Sequence, residues 1–210
     1  MVSVGYIILS CKPFLKTRAK WQRETWLSKV PQDSYVFLTG AIGSNEPNVV
    51  NMNLADSYET CPYRYYQYIQ QNDMSKYDWV VFPDDDTFIF PERLHSLLEG
   101  LDASKRQYVG RALTWPIMYM SGGASFALSR AAYAALREYL LVTPREKIEF
   151  HKNGDITMGL WLKYIDSVER VDSHLFNGSP HTHGESSKTN VAISYHYVTE
   201  DLFTMYGGIR

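Results

Sequence analysis

The sequence predicts an α/β domain with a mainly parallel, twisted sheet flanked by helices. Three observations carry this expectation. Short apolar runs without polar alternation, at Val2–Ser10, Ser34–Thr39 and Trp79–Phe82, read as strands buried on both faces. Stretches with apolar residues at helical spacing lie between them, the alternation that produces parallel pairing. No apolar run approaches the roughly 18 residues of a membrane span.

Each element has a local reason. Val2–Ser10 is bounded by Lys12-Pro13. It lacks the basic start and long apolar stretch of a signal peptide, so it reads as the first strand. Thr17–Lys29 sets Trp21, Trp26 and Leu27 near one helical face, with Thr17 as its cap, and Pro31 ends it. Ser34–Thr39 is the second strand, followed by a Gly-Ser-Asn-Pro loop over 41–48. A helix over Tyr63–Asn72 precedes the third strand, Trp79–Phe82, which Pro83 stops. Pro91–Leu101 is a helix with proline in its first turn. Tyr108–Ala112 and Ala124–Leu128 read as strands on either side of Gly122-Gly123. Arg130–Leu141 and Asp155–Ile165 read as helices, and the rest is loop-rich with one strand-like stretch, Val191–Val198.

At 210 residues the chain suits one domain, with a core large enough to need no disulfide framework. Lys and Arg number 21 against 23 Asp and Glu, which excludes binding driven by neutralising nucleic-acid phosphates. Two cysteines, Cys11 and Cys61, can form neither a disulfide framework nor a Cys-only zinc site; they are reduced thiols or one bridge. Sixteen tyrosines and five tryptophans suit sugar stacking and equally suit core filling.

Three groups of residues could carry chemistry. An apolar strand runs into Asp84-Asp85-Asp86, and apolar sequence resumes at once. Adjacent carboxylates repel, so the turn is either solvated or neutralised by a cation. Oxygen ligands at a nucleotide diphosphate suit Mn²⁺ or Mg²⁺. In a parallel α/β sheet such a turn lies at the carboxyl ends of the strands, where ligands bind. Asp155, after Asn153-Gly154, is either a helix N-cap or a general base. His181 and His183, two residues apart in a Gly/Pro-containing loop, are candidate metal ligands, whereas His196 in Ser194–Tyr197 reads as core or substrate-facing. Gly122-Gly123 belongs to neither a Walker nor a dinucleotide loop; it either admits a ligand close to the backbone or makes a turn.

In this order the motifs resemble the Fringe-like β1,3-glycosyltransferases, a family that includes the Fringe N-acetylglucosaminyltransferases and core 1 β1,3-galactosyltransferases. The resemblance runs from about residue 7 to 206. It rests on Lys16-Thr17-Arg18-Ala19 with Glu24-Thr25-Trp26, and on Asp56-Ser57-Tyr58-Glu59. It continues through Lys76–Trp79 with Asp84–Phe88, Tyr108–Arg111 and the block Ser121–Ser129. Asp155–Gly159, His181–Glu185 and Ser194–Val198 complete it. Two positions depart from the pattern. Gly154 stands where an acidic residue is usual, and Asn177 where core 1 enzymes have His.

The resemblance implies a GT-A fold with a Rossmann-like nucleotide-sugar-binding half, 1–112, and an acceptor and catalytic half, 113–210, within one domain. It implies an inverting transfer from a UDP-sugar to a hydroxyl of a glycan or glycoprotein, with Mn²⁺ or Mg²⁺. Asp86 and Asp84 would hold the metal with His183, and Asp84 and Asp85 would also face the donor. Ser10 and Arg18 would lie near uracil and diphosphate, and Asp56 near the nucleoside. Gly122 and Gly123 would line the sugar cleft, and Asp155 would be the base. The chain as given reads as soluble and cytoplasmic, or as a Golgi-lumenal catalytic domain if excised from a longer protein. The competing functions are an inactive sugar- or nucleotide-binding module and a metal-dependent nucleotidyltransferase or phosphoesterase.

Overall fold

The computed structural model describes residues 2–180 and 191–208. In chain order the first strands and helices are β1 (Val4–Leu9), α1 (Arg18–Glu24), β2 (Tyr35–Thr39), β3 (Val49–Asn51), α2 (Cys61–Gln71) and β4 (Trp79–Phe82). Next come β5 (Phe88–Ile89), α3 (Pro91–Glu99), β6 (Gln107–Gly110), β7 (Ala112–Leu113), β8 (Tyr119–Met120) and β9 (Phe126–Ser129). The remainder comprises α4 (Arg130–Val142), α5 (Gly154–Lys163), β10 (Glu169–Asp172), β11 (Phe176–Asn177), β12 (Ser194–Tyr195) and the C-terminal helix Glu200–Gly207.

Seven strands form the central sheet in the order β10-β6-β9-β4-β1-β2-β3. Every pair is parallel except those of β9, which runs antiparallel to both β4 and β6. The sheet is therefore mainly parallel, as the sequence predicts. It also crosses the 112/113 boundary, because β9 lies between β4 and β6.

Burial explains the unbroken apolar strands. In β1, Tyr6 and Ile8 join the cluster containing Trp26, Leu94 and Phe203, whereas Ile7 joins that containing Tyr65, Tyr133 and Trp161. In β4, Trp79 and Val81 face the first cluster and Val80 and Phe82 the second. Alternate side chains thus enter opposite cores, one under α1, α3 and the C-terminal helix, the other under α2, α4 and α5. Each such aliphatic or phenylalanine side chain contributes roughly 1.5–3 kcal/mol through burial.

Several local readings change. The helix expected over Thr17–Lys29 ends at Glu24; Thr25 leaves the helical region, its hydroxyl bonds the Trp21 carbonyl (2.6 Å), and a 3₁₀ turn follows over Trp26–Lys29. Thr17 makes no side-chain capping bond. The strand expected over Tyr108–Ala112 breaks at Arg111, and the one over Ala124–Leu128 begins two residues later, because Ser125 takes a φ of 64° in a turn closed by its N–H on the Gly122 carbonyl (2.7 Å). Val191–Val198 contributes only Ser194–Tyr195 as strand. Both cysteines are free.

The small sheet β11-β12-β5 positions the site. Antiparallel pairing of Tyr195 with Phe88 places the residue after β12 opposite the acidic turn before β5. The bond from Val198 N–H to the Asp86 carbonyl (2.9 Å) fixes that crossing. No described helix is long and apolar enough to cross a membrane.

Candidate active site

The carboxyl ends of β1 and β4 meet at one point. Leu9 donates its N–H to the Pro83 carbonyl (3.2 Å) and bridges Asp84, so Ser10 and the acidic turn adjoin. The turn is clamped from below by Gln22 of α1, fully buried, whose Nε2 donates to the carbonyls of Asp84 (2.9 Å) and Thr87 (2.8 Å). The Thr87 hydroxyl donates to the Gly123 carbonyl (2.9 Å), tying the turn to the Gly-Gly segment.

The three carboxylates differ in environment. Asp85 is buried, accepting from the Ser10 hydroxyl (2.8 Å) and from Arg18 (3.1 Å). Arg18 also reaches Asp86 at 3.2 Å, with its guanidinium 3.9 Å from the Phe14 ring centroid. Asp86 faces His196, with Nε2 and Oδ1 3.2 Å apart, and Asp84 lies 3.9 Å from the same nitrogen. Ligand atoms of Asp84, Asp86 and His196 all fall within 4.8 Å of one another. Two carboxylate oxygens and one imidazole nitrogen suit Mn²⁺ and also accept Mg²⁺.

Charge crowding shows in the acidities. Burial and the neighbouring Asp86 charge push Asp84 up to about 7; its side chain keeps 35% exposure, but it sits on the floor of a concave, acidic cleft. Burial likewise raises Asp85 to about 6, against the opposing pull of Ser10 and Arg18. Burial would raise Asp86 as well, but His196 and Arg18 outweigh it and hold the carboxyl below its ordinary value. Burial would lower His196, yet the neighbouring Asp86 and Asp84 carboxylates outweigh it and raise the imidazole above its ordinary value.

Asp155 stands on another wall of the same cleft. It is the second residue of α5, with Asn153 at the cap position making no side-chain bond, so the N-cap alternative does not hold. Its Oδ2 accepts the Gly122 N–H (3.0 Å) and its Oδ1 the Ile156 N–H (2.8 Å). A Cβ on Gly122 would lie 3.0 Å from the Asp155 Cβ, and one on Gly123 only 2.2 Å from the His196 ring. The two glycines are thus the residues that let a candidate base and a candidate ligand approach one loop. Gly154 has a steric reason as well: a Cβ there would lie 3.1 Å from the Tyr65 ring, leaving little room for the acidic residue the family pattern leads one to expect.

Asp56 organises the far end. It accepts the N–H groups of Lys12 (2.7 Å) and Gly40 (2.9 Å) and lies 3.5 Å from Arg64. Arg64, 1% exposed, donates to the carbonyls of Ser10 (2.7 Å) and Ser57 (2.6 Å). Ser10, Arg18, Asp56, the acidic triplet, Gly122, Gly123, Asp155 and His196 all line one cleft of about 540 Å³, within the roughly 300–1,000 Å³ range of small-molecule sites.

The structure therefore gathers every sequence-predicted site residue it describes. His181 and His183 lie outside the described residues. Sequence reasoning missed His196 as a candidate ligand and Gln22 and Arg64 as scaffolding. His196 is 110 residues from Asp86, and only the β12–β5 register brings them together.

A family model described as Fringe-like matches residues 4–205. In fold, the chain is similar to the glycosyltransferase GlyE of Streptococcus pneumoniae TIGR4, with TM-score 0.55 and 10% identity over 100% of this chain and 61% of that one. It is also similar to a glycosyltransferase involved in the glycosylation of the major capsid of PBCV-1, with TM-score 0.56 and 12% identity over 97% of this chain and 98% of that one. A third likeness is to the bifunctional glycosyltransferase WbbM, with TM-score 0.54 and 13% identity over 99% of this chain and 50% of that one. The chain thus spans about three-fifths of the length of GlyE. The shared architecture is the GT-A fold.

Proposed function

The chain belongs to the Fringe-like family of glycosyltransferases, and we propose that it transfers a sugar from a UDP-sugar to a hydroxyl of a glycan or glycoprotein, with inversion at the anomeric carbon. The observation that carries this reading is the convergence of Asp84, Asp86 and His196 on one point of a cleft that also holds Asp155. The uridine preference rests on family membership.

Asp86, Asp84 and His196 would hold a divalent cation, with Mn²⁺ favoured by the mixed oxygen and nitrogen donors. When bound, that cation supplies charge stabilisation to the departing diphosphate. His196 is the histidine ligand in this reading; His183, which the family resemblance implies, lies outside the described residues. Arg18 adds a fixed positive charge at the same place, held there by Asp85, Asp86 and the Phe14 ring. Preorganised charge of this kind contributes roughly 10²–10³ in rate per group. Ser10 and Asp56 shape the nucleoside end through Asp85, Lys12 and Gly40.

Asp155 takes the proton of the acceptor hydroxyl as the oxygen attacks the anomeric carbon from the face opposite UDP. The C–O bond to the acceptor forms while the bond to the diphosphate breaks, and the proton ends on the carboxylate. The N–H groups of Gly122 and Ile156 hold that carboxylate in a single orientation, and positioned bases of this kind contribute about 10²–10⁴.

Incubation with UDP-Gal, UDP-Glc or UDP-GlcNAc and an array of glycan acceptors tests the reading. Metal-dependent release of UDP together with a β-linked product is the expected result. Release of pyrophosphate or inorganic phosphate would instead mark a nucleotidyltransferase or phosphoesterase. Binding without turnover on any acceptor would mark an inactive module.

A further inference from the structure

Two aromatic rings stand open at the cleft. Tyr58 is 63% exposed and Tyr197 61%, and both line it. Other large apolar side chains are exposed on this protein, Trp115 among them. The position of these two separates them from the rest.

Tyr197 follows His196 directly, and the two rings stack with centroids 3.7 Å apart. Its φ of 55° lies in the left-handed region, which a bulky side chain rarely adopts. The conformation is imposed from both sides, by β12 pairing with β5 and by the Val198 N–H on the Asp86 carbonyl (2.9 Å). Residues held in this way concentrate at ligand clamps, where surrounding structure over-determines them.

Tyr58 comes from a different wall, a 3₁₀ turn over Tyr58–Thr60 between Asp56 and α2. The residue as a whole is open and lines the cleft. Burial raises the phenol first, and the charges of Asp155, Asp84 and Tyr197 then add to it, bringing it to about 12. Tyr58 and Tyr197 line the same cleft as Asp84 and Asp155.

An in-line displacement requires the anomeric carbon between the diphosphate site and Asp155. Tyr58 and Tyr197 line the cleft in which that carbon would lie, with Asp84 and Asp155 also in its walls. We propose that Tyr58 and Tyr197 are the two jaws that cover the transferred sugar ring of the donor, packing on its C–H face and keeping water from the anomeric carbon. Sugar rings offer apolar faces to aromatic rings while their hydroxyls meet the phenols. Water kept from the reacting carbon cannot divert the donor to hydrolysis. Both rings are open without substrate, so their area is removed from water only when a sugar arrives. The inference rests on the glycosyltransferase reading above.

Calorimetry in Mn²⁺ tests it, titrating UDP, UDP-Gal, UDP-Glc and UDP-GlcNAc into wild type, Tyr58→Ala and Tyr197→Ala. Each variant is expected to lose about tenfold in affinity for the preferred UDP-sugar, with UDP affinity within about twofold of wild type. Hydrolysis of that donor without acceptor is expected to rise relative to transfer. Tyr58→Phe and Tyr197→Phe retain the ring and are expected to retain most of the affinity. Tyr197→Gly removes the ring and relieves the backbone, so it folds readily and is expected to match Tyr197→Ala. Equal weakening of UDP and UDP-sugar, an unchanged UDP-sugar affinity, or Phe variants as weak as Ala variants would each overturn the proposal. Wild type that binds no UDP in Mn²⁺ would overturn the glycosyltransferase reading itself, and the wild-type titration reports that separately.

Discussion

Gly123→Ala adds one methyl group where the imidazole of His196 already lies. The new Cβ would stand 2.2 Å from Cε1 and Nδ1 and 2.6 Å from Nε2, against an ordinary contact of 3.4–4 Å. The ring must therefore retreat by about 1 Å or more, or the loop must move and break the Thr87–Gly123 bond of 2.9 Å. Metal–ligand distances tolerate only about 0.2 Å, so either response takes Nε2 out of coordinating range. Perturbing even a supporting residue at a metal site costs about 10–100-fold in affinity. We expect at least that loss for Mn²⁺, measured by calorimetry in saturating UDP, with a stability cost of about 1–3 kcal/mol from overpacking. Gly100→Ala, whose Cβ would meet nothing closer than 3.4 Å, is the control and should change neither. In a His196→Ala background the added methyl group has no ring to displace, so it should have little further effect on Mn²⁺ affinity. A folded Gly123→Ala protein with Mn²⁺ affinity within about twofold of wild type would refute His196 as a ligand.

Three further outcomes follow from the same geometry. Asp155→Asn keeps one oxygen for the Gly122 N–H and gives up only the acceptor of the Ile156 N–H, so UDP affinity should hold while transfer falls about 10²–10⁴-fold; undiminished turnover would remove Asp155 as base. Asp84 and Asp85 have raised pKa values in the folded chain, so the stability they contribute is full below about pH 4 and is lost as pH rises through about 6 to 7. Metal-free Tm should thus fall across that window, and Asp84→Asn should flatten the fall and stabilise the metal-free protein at pH 7.5. The displacement of Asp84 corresponds to about 4 kcal/mol at most, which screening at a side chain 35% exposed reduces to about 1–2 kcal/mol; a destabilised Asn variant would contradict the assignment of strain to that carboxylate. Arg64→Ala leaves the Ser10 and Ser57 carbonyls without that donor and Asp56 without its nearby cation, so unfolding stability should drop by about 3–5 kcal/mol in denaturant titrations. A loss under about 1 kcal/mol would mean that water replaces the guanidinium.

Legibility in the sequence followed how local each signal was. Trp79–Phe82 was readable to the residue because four apolar side chains in succession can be buried on both faces only in a central strand. The acidic triplet was readable because charge repulsion between two apolar stretches demands a reason. Ser10, Arg18 and Asp56 were reached only through family resemblance, and their shared cleft required the fold. Strand β10, Glu169–Asp172, escaped notice because it is an exposed edge with no apolar alternation, and β3, at the other edge, is only three residues long. His196 was undervalued because its partners are distant in sequence; the close pair His181 and His183, whose local spacing suits a metal, lies outside the described residues. Arg64 gave no signal at all: it lies in the Tyr-rich segment Cys61–Gln71, where nothing in the pattern marks a buried guanidinium.

The central claim is that Asp84, Asp86 and His196 form a metal site serving a uridine diphosphate. The most direct test is a calorimetric titration of UDP into the full chain with and without Mn²⁺, repeated with His196→Ala. UDP binding is expected to depend on Mn²⁺ in wild type and to lose that dependence in His196→Ala. UDP binding that is indifferent to Mn²⁺, or a His196→Ala protein that responds to Mn²⁺ as wild type does, would contradict it.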